Sequence, residues 1–343
     1  KVIAWINPYR VRSATSNVPI TSNNPVYKYI GTDVLYEKNG IYLNPAKNES
    51  IDLIVEGVSE IVKNYDVDGI LFDDYFYPDL EVDINNYSEY QKENKDKDIN
   101  SYRLDNVSRM VEKVHKTCKK YNKTFGVSPD GNMENNYNRH FADVKKWGSS
   151  NKYVDYLMPQ IYYGFYNETK SFNNVIHEWD DIIKCDDVKL MIALAFYKVG
   201  SIDKYANSGS EEWILNNDII KREIILSRNL KNYQGFSLFR YDYLFNSELK
   251  TTTTVKEIEN IMLKYTGINA SAVVYDPKNQ RIDACFVSEI VINTNDIKNY
   301  LKALLPSHMI PVSIVRVDKI PVSISGKTDY NAINEMLYSS NGN

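Results

Sequence analysis

Short apolar runs punctuate the first two thirds of the chain, at residues 2–6, 69–72, 125–127, 156–161, 190–194 and 235–239. Runs of this length, bounded by polar and turn residues, predict buried strands. Helical spacing fills gaps between them: Ile54, Val55, Val58, Ile61 and Val62 make one apolar face over 51–65, and Val107, Met110, Val111 and Val114 do so over 105–121. Strand alternating with helix predicts an α/β fold with a parallel sheet wound by right-handed crossovers. The six runs fall short of the eight of a closed barrel. Because the chain opens inside a strand, the expectation is a (β/α)8 TIM-type barrel without its first two strand–helix units, which are absent or supplied elsewhere. The polar stretch 79–101 follows a strand directly and predicts a long loop on the mouth side. After the threonine-rich linker 248–254 the pattern becomes shorter: a helix at 255–265, strands at 270–275 and 284–290, a helix at 294–305 and a strand at 313–317. This predicts two domains, 1–247 and a small α+β domain at 255–337, with a tail at 338–343.

Active sites of parallel barrels lie at the carboxyl ends of the strands. The run DGILFDDYFYP at 68–78 ends one such strand in Asp73, Asp74, Tyr75 and Tyr77. Glycoside hydrolysis uses one carboxylic acid to protonate the leaving oxygen and a second carboxylate as nucleophile or base. Asp73 and Asp74 have that chemistry, but side chains alternate along a strand, so the two do not share a face unless the strand has ended before Asp74. Asp242, just past another strand end, is a candidate for the second acid. Asn7, Tyr9, Arg10, Asp130, Gln160, Tyr162, Tyr163, Tyr197 and Arg240 recur at strand ends and offer aromatic faces with donors and acceptors, which suits a sugar. Asp143 and Asp155 read as structural.

Charge and composition narrow the partners. A net charge of -4 with mixed signs gives no attraction to nucleic acid. No apolar run approaches the roughly 20 residues of a bilayer span. The 28 tyrosines suit sugar stacking, although a coding bias toward Tyr, Asn, Lys and Ile gives the same excess. Cys118, Cys185 and Cys285 have no paired spacing, and His115, His140, His177 and His308 show no HxH or HExxH pattern, so neither a zinc site nor any other cofactor is expected.

The segments AWINPYRV, YDVDGILFDDYFYP, FGVSP, VDYLMPQIYYGFY, IALAFYKVG and GFSLFRYDYL resemble the glycosyl-hydrolase-like family 10 barrels over about residues 1–245. That resemblance implies a β/α barrel that cleaves a bacterial polysaccharide or binds it without cleavage. After Ser128-Pro129 the family pattern implies an apolar residue, where this chain has Asp130. Residues 255–337, through LPSHMIP and SGKTD, resemble the C-terminal subdomain of nonribosomal peptide synthetase adenylation domains. Lys327 then falls where the family has its adenylation lysine. The large N-terminal subdomain is not in the sequence, so adenylation by this chain alone is not expected; a missing subdomain or a carrier protein is the implied partner, and a peptide-synthetase accessory is the third functional reading. The barrel implies export and the second module the cytoplasm, so location stays open.

Overall fold

The structure, a computed structural model, describes residues 1–16, 18–216, 218–245, 255–256, 258–276, 281–305, 309–322 and 328–338. The chain packs as two compact units, one of Lys1–Tyr163, Lys170–Leu194 and Arg222–Leu238, the other of Gly164–Thr169, Ala195–Lys221 and Phe239–Asn343.

In the first unit β1 (Ile3–Ile6) leads into a small antiparallel sheet of β2 (Arg10–Ser13), β3 (Leu35–Glu37) and β4 (Gly40–Leu43), ordered β2-β4-β3. The main sheet continues with β5 (Gly69–Phe72), β6 (Thr124–Val127), β7 (Tyr156–Leu157), β8 (Gln160–Ile161), β9 (Lys189–Leu194) and β10 (Tyr233–Leu238). All its pairings are parallel, in the order β1-β5-β6-β7-β9-β10 with β8 also on β9. It curls as a parallel half-barrel. Among the described residues β1 pairs in this sheet with β5 alone; Val2 just before it and Ile3 and Trp5 on it are 58%, 37% and 57% exposed.

The expected strand at 156–161 is two strands because Pro159 has no N–H to give the ladder. Its carbonyl still accepts from Ala193 N at 3.1 Å, so the chain bends without leaving the sheet. Helices Asn48–Asn64 and Ile99–Lys120 bury the faces their spacing predicts, with Val107, Met110, Val111 and Val114 fully covered. The second helix starts before residue 105 because Asp98 caps it, accepting Ser101 N at 2.9 Å.

The loop expected at 79–101 instead contains the helix Ile84–Glu93. This helix buries no residue, so no apolar stripe announces it. Ring contacts of Tyr87 and Tyr90 with Tyr102, at 5.6 and 4.6 Å, hold it. Phe72 and Phe125 meet edge to face at 5.0 Å inside the sheet, each side chain fully buried. Burial of each contributes roughly 1.5–3 kcal/mol.

In the second unit β11 (Ala270–Asp276) pairs antiparallel with β12 (Arg281–Val287), and β12 pairs parallel with β13 (Ser313–Arg316). Helix Thr294–Leu304 packs Ile297 and Leu301 against Phe286, Ile258 and Met262 in one core. A further helix, Tyr330–Tyr338, follows. Among the described residues no helix is long and apolar enough to cross a membrane.

Candidate active site

Parallel register brings the strand ends of the first unit level with one another. Ile6 pairs with Phe72 and Phe72 with Val127, so Asn7, Asp73 and Ser128 each stand one residue beyond the sheet. The strand has therefore ended before both acids, and the alternation that would have separated them does not apply. Asp73 N still donates to Ile6 O at 3.1 Å, after which the backbone turns and Asp74 N donates to Asp73 Oδ1 at 2.9 Å. Asp73 is 6% exposed and Asp74 half-buried.

Asp130 reaches the same rim. It forms an isolated parallel bridge with Gln160, and Gly131 follows against the Gln160 carbonyl, where a Cβ would stand only 2.3 Å from that oxygen. Only glycine lets the backbone pass so close. The next residues form a helical turn and then a π-helical turn, Asn136–His140, which ends in Phe141 at φ 50°. This path swings His140 Nε2 to within 3.8 Å of Asp130 Oδ2. Phe141 is clamped from behind, with the Arg103 guanidinium 5.0 Å and the Tyr77 ring 4.8 Å from its ring. Arg103 in turn is bidentate to the fully buried Asp83, through Nε at 3.0 Å and Nη2 at 2.7 Å.

These surroundings push neighbouring carboxyls in opposite directions. Burial, then the charge of Asp73, raises the Asp74 pKa to about 7; His140 opposes this, and the negative charge of Asp130 adds to it. Burial also pushes Asp130 upward, but His140, Asn132 N at 2.7 Å and Asn135 Nδ2 at 2.8 Å outweigh it and hold Asp130 below the usual carboxylate value. Asp74 thus exchanges its proton near neutrality, where Asp130 is ionised.

Asp74, Asp130 and His140 each offer a donor atom within 4.8 Å of the others, near enough to hold a metal ion. Histidine spacing in the sequence gave no hint of this grouping, because the imidazole comes from a π turn ten residues after Asp130.

The other residues expected at the site separate into three groups. Gln160 joins it directly, and Arg10 lies 5.7 Å from the ring of the exposed Tyr75. Tyr162 and Tyr163 are half-buried just after β8, and Asn7 Oδ1 is a buried acceptor without a partner among the described residues. Tyr9 and Tyr77, by contrast, are core residues, 1% and 9% exposed, and neither presents a face for stacking. Tyr77 spends its hydroxyl on Asp83 at 2.8 Å, and burial raises the pKa of both phenols. In the second unit Tyr197 sits in the 3-10 turn Phe196–Lys198 with its ring against Phe239 and Tyr243. Arg240 and Asp242 there form an exposed ion pair at 3.1 Å. Lys327 and His308 lie outside the described residues. Asp143 caps the helix Val144–Gly148, and Asp155 accepts Phe125 N at 2.8 Å.

The family model described as Glycosyl hydrolase-like 10 matches residues 1–211. The glycosyl hydrolase DigH of Escherichia coli (strain K12) is 31% identical over 272 residues, covering 71% of this chain and 61% of that protein. The glycosyl hydrolase YngK of Bacillus subtilis (strain 168) is 30% identical over 254 residues, covering 68% of this chain and 48% of that protein. The chain therefore spans less than two thirds of the length of these relatives. Its C-terminal part matches surfactin synthase subunit 2 of Bacillus subtilis (strain 168), 41% identical over 80 residues, which is 23% of this chain and 2% of that subunit.

Proposed function

The chain belongs to the glycosyl hydrolase-like 10 family, and from that premise we propose that it hydrolyses glycosidic bonds of a bacterial polysaccharide with Asp74 as the proton donor. The observation that carries the reading is the Asp74 carboxyl itself, half-buried at the carboxyl end of β5 with its pKa raised to about 7 by burial and by Asp73. A glycosidic oxygen leaves only when protonated, and the sugar passes through an oxocarbenium-like transition state. An acid with its pKa near neutrality supplies the first requirement, since a substantial fraction is protonated there. Asp73 supplies fixed negative charge for the second; Gln160 Nε2 holds it at 3.0 Å. Tyr75, with Arg10 beside it, and Tyr162 and Tyr163 offer faces and hydroxyls to flanking sugars.

The test is the release of reducing ends from bacterial wall and exopolysaccharide preparations. Asp74→Asn should abolish release while glycan binding persists, and Asp73→Asn should reduce it. Binding by the unaltered chain with no release would replace the hydrolase with a glycan-binding barrel.

The likeness to peptide synthetases supports reading 255–337 as an adenylate-forming C-terminal subdomain, with the barrel domain ending by 247. A lid of this kind works only against a large partner subdomain. Pyrophosphate exchange with ATP and amino acids should therefore be absent from this chain, and any exchange would overturn that assignment.

A further inference from the structure

Three separate stretches of chain deliver ligand atoms to one point of the rim: Asp74 from the turn after β5, Asp130 from the bridge to Gln160, and His140 from the π-helical turn Asn136–His140. One atom of each lies within 4.8 Å of the other two. The imidazole sets this group apart from a cluster of acids. A ring nitrogen is a ligand for zinc and its neighbours in the transition series, whereas magnesium and calcium ions take oxygen.

The three side chains are held to different degrees. Asn132 N donates to Asp130 Oδ1 at 2.7 Å and Asn135 Nδ2 to Asp130 Oδ2 at 2.8 Å. Outer bonds of this kind orient a ligating carboxylate, and each oxygen keeps a further acceptor position. Asp74 and His140 have more latitude. Among the described residues no nitrogen donates to the Asp74 carboxyl, and His140 Nε2 stands 3.8 Å from Asp130 Oδ2, longer than a hydrogen bond. Zinc bonds to nitrogen and oxygen of roughly 2.0–2.2 Å put two ligand atoms at most about 4.4 Å apart. Closing on an ion therefore asks for a small shift, and it falls to the two side chains with the fewest bonds. With side chains only 18% and 23% exposed, His140 and Asp130 would shield an ion from water on their side while leaving it a way in.

We infer that Asp74, Asp130 and His140 form a site for a divalent cation of the zinc class, and that an ion bound there silences glycan cleavage. The silencing rests on the hydrolase reading above; the site itself does not. A carboxylate that ligates a metal ion is deprotonated, so Asp74 cannot hold the ion and the proton for the leaving oxygen at the same time. Asp130 and His140 then act as a brake on their neighbour.

The chain, stripped with a chelator and dialysed, is titrated calorimetrically with zinc chloride, and with magnesium chloride in parallel. Zinc should bind and magnesium should not compete. His140→Gln and Asp130→Asn should each weaken zinc binding at least about tenfold, and Asn135→Ala, which removes only an outer bond to Asp130, should weaken it by about ten- to a hundredfold. His177→Gln, on the exposed side of the helix Phe172–Ile182, should bind as the unaltered chain does. Release of reducing ends, measured over the same zinc concentrations, should fall with the midpoint of binding and return on addition of chelator. In His140→Gln, referred to its own zinc-free rate, the fall should need at least about tenfold more zinc. No zinc binding, or binding that both ligand variants leave unchanged, would overturn the site. Binding lost in those variants with release unaffected or raised by zinc would overturn the silencing and leave the site standing. No release with or without zinc would overturn the hydrolase reading, while the calorimetry still decides the site.

Discussion

A single amide nitrogen of Gln160 donates to Asp73 Oδ1 at 3.0 Å and to the Ser128 carbonyl at 3.1 Å. It thereby ties the tips of β5, β6 and β8 to one another at the point where the chemistry is proposed. Gln160→Met keeps the length of the side chain and removes the donor, leaving a carboxylate that is 6% exposed with one hydrogen bond fewer. Stability should fall by about 1–3 kcal/mol in urea denaturation, and glycan cleavage should fall with it.

The pH dependence of cleavage should report Asp74. Its folded pKa is raised to about 7, so the acid is loaded below that pH and is lost as pH rises through it. Activity should therefore decline on the alkaline side near 7. Burial is the larger cause of the elevation and the charge of Asp73 the next, so in Asp73→Asn the decline should begin at a lower pH, measurable in the residual activity.

Stability has its own acid limb. Burial pushes Asp155 upward, but His115, Lys119 and the Phe125 N–H outweigh it and lower the pKa to about 2. A carboxyl depressed below its unfolded value of about 3.9 stabilises the fold fully above that pH, and the contribution is lost as pH falls toward 2. Asp155→Asn should cost roughly 2 kcal/mol at pH 7 and flatten the stability profile between about pH 4 and 2, as read by denaturation at a series of pH values.

Behind the site, the pairing of Arg103 with Asp83 is buried at both ends, with side chains 5% and 0% exposed. Arg103→Met strands the Asp83 charge and should destabilise by about 3–5 kcal/mol. Arg103→Met with Asp83→Asn should recover part of that loss, which thermal melts of the single and the double variant beside the unaltered chain would resolve.

The elements that could be read from the sequence are those whose burial writes a period into the chain. Strands around Gly69–Phe72 and Lys189–Leu194 are apolar runs with polar tips, and the helices flanking them have one covered face. Helix Ile84–Glu93 is held by tyrosine rings on an otherwise polar surface, and β2 has the sequence RVRS, so neither carries a period. At the site, Asp73, Asp74 and Gln160 follow from their positions at strand ends. The approach of His140 to Asp130 does not, because it depends on a π turn and on a left-handed Phe141 that no residue type there requires. Nor does sequence position separate Tyr9 and Tyr77, sealed in the core, from Tyr75, which is open to solvent: all three are aromatics beside a strand end.

The margin of the main sheet at β1 bears on how this chain behaves in solution. Among the described residues β1 is laddered to β5 alone, with Val2 and Ile3 exposed, and a strand so placed is a template on which another extended polypeptide can dock. As concentration rises, a polypeptide of residues 1–343 by itself should associate through this margin, giving light-scattering masses above that of a monomer. A lysine in place of Val2 or Ile3 should raise the concentration at which the sample stays monodisperse, because a charge there must be desolvated before two backbones can meet. That substitution lies at the margin of the sheet and leaves the chemistry of Asp74 unaltered, so it also gives the better starting material for every measurement above.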